Sequence, residues 1–208
     1  ASASGAFGSI DRFKDEVAAE LCAVLAFSAI KNNDRVGLII FTSGVEKYVP
    51  PKKGKNHVLR VIRELLYFEP GHKGTDIGEA IGFLNRVQKK RAVVFVVSDF
   101  LSSGYEAPLR VASRRHDLIA AVVGDPRESE LPPAGLIELE DPENGGTMLV
   151  DTGSKSFRRR YAAEVAARSA GRSGFFRANG VDEIRISTAT DYVDPLIRFF
   201  RRREKMGM

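Results

Sequence analysis

Residues 92–99 read AVVFVVSD, an apolar run that ends directly on a serine and an aspartate. An apolar run of this length without polar alternation is typical of a strand that is buried on both faces of a parallel sheet. Similar runs stand at residues 36–41 (VGLIIF) and 118–123 (LIAAVV). Because helical patterns separate these runs, we predict a doubly wound α/β fold with a mostly parallel sheet and helices on both faces.

The remaining elements follow from the spacing of the apolar residues. Helices are predicted at residues 11–31, 56–68, 76–87, 106–115, 156–179 and 193–203. Two further strands are predicted, an antiparallel edge strand at residues 45–49 that stops at Pro50-Pro51, and a strand at residues 183–187. Asp191 is predicted to cap the last helix.

Residues 132–152 interrupt the alternation of strands and helices. Two short strand-like pieces, Leu136 to Leu139 and Thr147 to Val150, are joined by Asn144-Gly145-Gly146, which is a strong hairpin signal. We predict a β-hairpin inserted into a single domain that covers residues 1–208. The hairpin is expected to fold back and cap an edge of the sheet, and a contact surface for a partner is the alternative.

The composition is that of a globular domain with its own core. Of the 208 residues, 43% are hydrophobic and 28% are charged. The single cysteine, Cys22, excludes an internal disulfide and a cysteine-based zinc site, and it is expected to be a buried thiol. No apolar run is long enough to span a membrane and no signal-peptide pattern is present. We therefore expect a cytoplasmic chain, and membrane association of a longer protein stays open.

The first residues of the chain suggest a fragment. The sequence starts at Ala1-Ser2-Ala3-Ser4, with no methionine and no strand before the first helix. In a fold where strands and helices alternate, a strand is expected at this point. We therefore expect the first strand of the sheet to be missing from the chain, with Ser2 and Ser4 following it.

Hydroxyl and carboxylate side chains are predicted to converge at one end of the sheet. Asp99 follows a buried strand directly, Thr75 precedes a helix, and Ser2 and Ser4 would follow the missing strand. Loops at the carboxyl ends of strands meet at the topological switch point, where ligands bind. Such an oxygen-only set favours Mg²⁺ or Mn²⁺. Taken singly, Thr75 is also typical of a helix N-cap and Asp99 of a turn residue.

These segments resemble the metal-ion-dependent adhesion site of von Willebrand A domains. That family carries Asp-x-Ser-x-Ser after its first strand, a Gly-Thr loop, and an aspartate after its fourth strand. Ser2 and Ser4 match the two serines, Thr75 the threonine and Asp99 the later aspartate. The resemblance places the family's first aspartate one position before Ala1, so Mg²⁺ or Mn²⁺ is expected to be weakly bound or absent in this chain.

Longer stretches resemble the bacterial domain-of-unknown-function family 58, which is found beside MoxR-type AAA+ ATPases. The matching stretches are DRVGL at 34–38, GTDI at 74–77, VSDF at 97–100, RHD at 115–117, DPRE at 125–128, LP at 131–132 and DPE at 141–143. The resemblance implies a binding module rather than an enzyme, in which an open position on the metal accepts an Asp or Glu of a partner protein. The implied partner is the ATPase or a protein that it remodels.

A Mg²⁺-dependent hydrolase, such as a phosphatase, is the first alternative. His72 stands near Thr75 and is the only candidate base close to the predicted site. Against an enzyme, the sequence has no phosphate-binding GxxxxGK[ST] loop, no HExxH and no GxSxG elbow. We therefore expect no catalytic residues.

Binding to nucleic acid or to an anionic membrane is the second alternative. The net charge is +5, and arginines cluster in the last two predicted helices, with Arg158, Arg159, Arg160, Arg168 and Arg172 in the first of them. A second group comprises Arg198, Arg201, Arg202, Arg203 and Lys205. Aromatic residues are not interleaved with these cations as a base-stacking platform needs, so nucleic acid is not the expected partner.

Overall fold

The computed structural model describes residues 14–140 and 146–205, and within them the predicted order of strands and helices is confirmed. The helices are α1 (Lys14–Lys31), α2 (Lys55–Leu66), α3 (Ile77–Val87), α4 (Glu106–Arg115), α5 (Lys155–Ala178) and α6 (Val193–Lys205). The strands are β1 (Val36–Phe41), β2 (Val45–Lys52), β3 (Val93–Ser98), β4 (Asp117–Gly124), β5 (Leu136–Glu140), β6 (Thr147–Asp151) and β7 (Asp182–Ser187). One 3₁₀ turn, Pro126–Glu128, follows β4.

A parallel sheet of order β3-β4-β7 forms the centre of the fold. Its middle strand, β4, is buried on both faces, because successive side chains point to opposite sides of a strand. On one face Leu118, Ala120 and Val122 belong to a core cluster with residues of α3, α4 and α5. On the other face Ile119, Ala121 and Val123 cluster with residues of α1 and α6. Helices therefore cover both faces, as the continuous apolar runs predict.

Strands β1 and β2 form a separate antiparallel sheet. The prediction that β2 ends at Pro50-Pro51 is wrong, since the strand continues to Lys52. An edge strand tolerates proline because the missing N–H can face away from its partner. Gly37 in β1 allows β2 to approach closely at these prolines. A Cβ atom at Gly37 would lie 2.9 Å from Cγ of Pro51 and 3.0 Å from the carbonyl oxygen of Val49.

A cavity of about 1630 Å³ lies between the two sheets. Strands β1 and β3 both line it along their full lengths, and neither strand pairs on that side with another described strand. Residues of α1, α2 and α3 complete the lining. The predicted missing first strand lies outside the described residues and stays a prediction.

The predicted hairpin is present as β5 and β6, which pair in antiparallel register from Leu136 with Asp151 to Glu140 with Thr147. The Asn144-Gly145 part of its turn lies outside the described residues. Thr152 closes the base, because its backbone N–H and its hydroxyl both donate to the carbonyl oxygen of Gly135, at 2.7 and 2.8 Å. Within the described chain the hairpin forms its own two-stranded sheet and does not extend the parallel one.

The structure also bears on the cysteine and on membrane crossing. Cys22 is the free thiol of α1 and lines the cavity between the sheets. Burial raises the pKa of Cys22 to about 12, so the thiol stays protonated at neutral pH.

Across residues 14–140 and 146–205, none of the helices has both the length and the apolar character that crossing a membrane requires.

Candidate metal-binding site

Thr75 lies in the loop between α2 and α3, next to Gly74, which has a positive φ of 86°. The helix N-cap is its neighbour Asp76, whose Oδ1 accepts the N–H of Glu79 at 2.8 Å. The alternative that Thr75 caps the helix is therefore wrong. The Thr75 hydroxyl oxygen is buried and has no hydrogen-bond partner among the residues that the structure describes. Buried polar groups nearly always have a partner, so this oxygen is a place where a ligand would be stabilising.

The loop that carries Thr75 is held by the turn between β1 and β2. The carbonyl oxygen of Thr42 accepts the N–H of Asp76 at 2.7 Å. The Glu46 carboxylate accepts the N–H groups of Gly71 and His72, at 2.7 and 3.3 Å, and the hydroxyl of Thr42. These bonds fix the backbone on both sides of Thr75. Glu46 is thus a positioning residue that the sequence analysis missed.

Glu46 should make this loop sensitive to acid. The Thr42 hydroxyl and the N–H groups of Gly71 and His72 lower the pKa of Glu46 below its ordinary value of 4.5. A lowered folded-state pKa stabilises the protein above the unfolded-state pKa, and this contribution is lost as the pH falls through the folded-state value. We expect Glu46→Gln to lose less stability than wild type as the pH is lowered from neutral to below that value.

Thermal melts over a pH series measure this difference. Glu69→Gln is a matched control, because Glu69 is an exposed carboxylate close to the same loop in sequence. If Glu46→Gln and wild type lose stability in parallel as the pH falls, the carboxylate of Glu46 does not hold the loop.

Asp99 follows β3, and its Oδ1 accepts the N–H of Leu101 at 3.2 Å. Asp99 is therefore a turn residue, which confirms the alternative given for it in the sequence. Its second carboxylate oxygen, Oδ2, has a different partner. Phe100 adopts a positive φ of 56°, which is strained for a bulky residue. The Phe100 ring is held in the core, with its centroid 5.5 Å from that of Tyr105 and 5.2 Å from that of Phe176. This packing fixes the turn and with it the direction of the Asp99 side chain.

A lysine that the sequence analysis did not single out contacts Asp99. Lys14 is 3% exposed, and its Nζ lies 3.0 Å from Asp99 Oδ2 and 2.6 Å from Glu128 Oε1. Burial alone would lower the pKa of Lys14, but the carboxylates of Asp99 and Glu128 raise it above its ordinary value. Lys14 is therefore charged at neutral pH. We call Lys14, Asp99 and Glu128 the Lys14 cluster.

Thr75 and Asp99 line the same cavity, together with Ser98, Lys14 and Asp15. Ser2 and Ser4 lie outside the described residues, so their place in the site stays a prediction. Within residues 14–140 and 146–205, no group of three or more His, Cys, Asp or Glu side chains is placed to hold a metal ion. A metal beside Thr75 and Asp99 would therefore depend on hydroxyl and water oxygens as well as on one carboxylate.

The three histidines have contacts away from Thr75 and Asp99. His57 Nε2 lies 2.8 Å from the carbonyl oxygen of Val36. His72 is exposed, and its Nδ1 lies 3.7 Å from Glu46 Oε1. His116 is buried, and burial followed by the neighbouring charge of Arg115 lowers its pKa. His72 thus contacts Glu46, which also holds the loop that carries Thr75.

Several of the clustered cations have structural roles. Arg203 binds Asp117 and Asp182, Arg172 donates to the carbonyl oxygen of Asp99 at 3.4 Å, and Arg158 donates to the carbonyl oxygens of residues 152 and 153. The other members of the two groups are exposed, namely Arg159, Arg160, Arg168, Arg198, Arg201, Arg202 and Lys205. The basic surface is therefore smaller than the sequence suggests.

Comparison with protein families and curated proteins gives consistent matches. The family model described as "Protein of unknown function DUF58" matches residues 1–171. An uncharacterized protein of Mycobacterium tuberculosis is 29% identical over 98% of this chain, and the match covers 65% of that protein. The chain thus spans 65% of the length of that relative. An uncharacterized protein of Mycobacterium avium is 30% identical over 76% of this chain and 94% of its own length.

A solved structure shares the fold. The crystal structure of the conserved hypothetical protein BatB from Bacteroides thetaiotaomicron superposes with a TM-score of 0.62. The match covers 99% of this chain and 94% of that chain, at 18% sequence identity. At this identity the likeness shows a common fold and nothing more specific.

Proposed function

The chain belongs to the family described as protein of unknown function DUF58, and we propose that it acts as a divalent-metal-dependent binding module. The observation that carries the proposal is the buried hydroxyl of Thr75, which has no hydrogen-bond partner among residues 14–140 and 146–205. It lines a cavity that Asp99 also lines. An orphaned hydroxyl and a carboxylate in one cavity are the donor types that Mg²⁺ and Mn²⁺ prefer.

The proposed ligands are Thr75 and Asp99, together with Ser2 and Ser4 on the basis of the sequence alone. A metal held by hydroxyls and few carboxylates keeps much of its positive charge. When bound, it would supply an electrophilic open position for an Asp or Glu side chain of a partner protein. The chain's own residues would fix the orientation of the site through the Asp99 turn and the loop that Glu46 holds.

The proposed partner is a MoxR-type AAA+ ATPase, or a protein that it remodels, in the cytoplasm. This follows from the family resemblance given by the quoted stretches. Of these, DRVGL includes the first residues of β1 and VSDF the last residues of β3. We propose an adaptor rather than an enzyme.

Capture of the MoxR-type ATPase encoded by the source organism tests the proposal. The immobilised protein, extended at its N-terminus to include the aspartate that the family resemblance places before Ala1, is expected to retain the ATPase in Mg²⁺ and to release it in EDTA. The Thr75→Val variant of the same protein is expected to retain none. Thr190→Val is the matched control, since Thr190 is exposed. Retention that ignores EDTA but falls steeply with salt would favour binding through the exposed arginines instead.

The same variants separate the adaptor from a hydrolase. An adaptor is expected to release no phosphate from a generic phosphate ester in Mg²⁺. Turnover that needs Mg²⁺, and that Thr75→Val abolishes while Thr190→Val does not, would overturn the proposal in favour of an enzyme.

A further inference from the structure

A buried cation lies directly at the candidate metal-binding site. The Lys14 side chain is 4% exposed, and its ammonium group lies 3.0 Å from Asp99 Oδ2 and 2.6 Å from Glu128 Oε1. Lysine is almost never fully buried unless it is paired with carboxylates. Lys14 begins α1, whereas Asp99 follows β3 and Glu128 ends the 3₁₀ turn after β4. Three segments that are far apart in the sequence therefore meet here, and α1 places one positive charge between Asp99 and Glu128.

The two oxygens of Asp99 have different partners. Oδ1 accepts the N–H of Leu101 at 3.2 Å and the hydroxyl of Ser98 at 3.5 Å. Oδ2 accepts the ammonium of Lys14. The oxygen that the turn leaves for a cation is thus the one that Lys14 holds. A divalent cation at this oxygen would lie close to the ammonium, and two positive charges a few ångströms apart repel strongly where water is largely excluded.

Glu128 gives the ammonium a second position. Its Oε1 is closer to Lys14 than Asp99 is, and its Oε2 accepts the N–H of Asp125 at 3.1 Å. The Glu128 carboxylate is therefore held in place independently of Asp99. Lys14 can separate from Asp99 and remain paired with Glu128, so the exchange leaves no buried charge without a partner.

We infer that Lys14 competes with the divalent metal for Asp99 and so sets the metal affinity of the site. This inference rests on the proposed function and adds its regulation. Metal binding moves the ammonium from a position shared by two carboxylates to one on Glu128 alone. The site therefore binds metal more weakly than its oxygen ligands alone would allow, and anything that draws Lys14 toward Glu128 favours the metal.

Titration calorimetry with Mg²⁺ or Mn²⁺ alone tests the competition. It is done on the protein extended at its N-terminus to include the aspartate that the family resemblance places before Ala1, and on variants of that protein. Lys14→Met removes the charge but keeps the length of the side chain, and we expect it to bind metal at least about tenfold more tightly than wild type. The double variant Lys14→Met/Glu128→Gln has the same net charge as wild type. If it binds metal more tightly than wild type, the cause is therefore the freed Asp99 carboxylate and not a change in overall charge. Lys14→Arg is expected to stay within about threefold of wild type, because it keeps the charge.

Lys47→Met is the matched control. Lys47 is also paired with a glutamate, with its Nζ 2.8 Å from Glu64 Oε2, and it does not belong to the Lys14 cluster. It is expected to bind metal as wild type does. If wild type binds metal and Lys14→Met binds it no more tightly, the competition is wrong while the metal site stands. If neither wild type nor any Lys14 variant binds metal, the proposed function fails, and the inference fails with it.

A measurement on the wild-type protein covers the case in which Lys14→Met does not fold. The ammonium group of a buried, paired lysine can be followed by NMR in ¹⁵N-labelled protein. We expect the Lys14 signal to shift as Mg²⁺ is added, in step with the calorimetric binding curve. A Lys14 signal that stays unchanged while metal binds would overturn the inference.

Discussion

Replacing Thr75 by valine is expected to abolish Mg²⁺ binding and to leave the free energy of unfolding unchanged or raised by about 1 kcal/mol. Within the described part of the chain the buried Thr75 hydroxyl has no hydrogen bond, so folding removes it from water without a compensating bond to those residues. Valine has nearly the same shape and lacks that hydroxyl. The same substitution removes an oxygen that we propose as a metal ligand. A variant that is stable but inactive in metal binding is therefore the expected result.

Denaturant unfolding and Mg²⁺ titration on the same preparation measure both effects. Thr190→Val is the control, since Thr190 is exposed and its replacement should change neither quantity appreciably. Wild-type Mg²⁺ affinity in Thr75→Val would show that Thr75 is not a ligand. A marked loss of stability would instead mean that the hydroxyl has a structural partner.

Replacing Asp99 by alanine is expected to lower the free energy of unfolding by about 2 kcal/mol, which is typical of losing a hydrogen bond between charged groups, because Lys14 keeps Glu128 as its second partner. The side chains of Lys14 and Asp99 are only 4% and 10% exposed, so water cannot readily take the place of the lost carboxylate. The substitution also removes the acceptor for the N–H of Leu101. Loss of metal binding in Asp99→Ala alone would therefore have two explanations, folding and ligation.

A double-mutant cycle separates them. Asp99→Ala is expected to cost less stability in a Lys14→Met background than in wild type, because the ammonium that Asp99 pairs with is absent there. Denaturant unfolding of the four proteins gives the coupling between the two side chains. If the losses in the two single variants simply add, Lys14 and Asp99 do not interact energetically, and the Lys14 cluster has no role in stability.

Local patterns in the sequence are sufficient for most of the fold. The β4 run predicts a strand buried on both faces, and this is confirmed, because such a strand needs apolar residues at every position. The same prediction for β3 is only partly confirmed: Val93 is 58% exposed, since β3 lies at the edge of the described parallel sheet. The end of β2 is the exception, since its prolines are tolerated only because the strand lies at an edge with β1 on one side. Whether a strand lies at an edge depends on which strands become its neighbours, and a local sequence pattern does not show this.

The candidate site is less visible in the sequence. Thr75 and Asp99 can be found because each stands at a strand or helix end, where ligands gather in this class of fold. Lys14 carries a signal that was missed: it stands three and seven residues before Val17 and Leu21, the buried positions of α1. A lysine on the buried face of a helix needs a carboxylate partner, but its spacing cannot say which one.

The sequence by itself determined the α/β class, the order of the elements, the hairpin and the two described candidate ligands, since each depends on residues close together in the chain. Only the tertiary structure decided what surrounds those ligands. Lys14 reaches Asp99 across 85 residues and Glu128 across 114. Asp76 takes the cap position, and the Thr75 hydroxyl has no hydrogen bond to any described residue. Electrostatic and hydrogen-bond partners are set by distance in space, so they exist only once the helices have packed against the sheet.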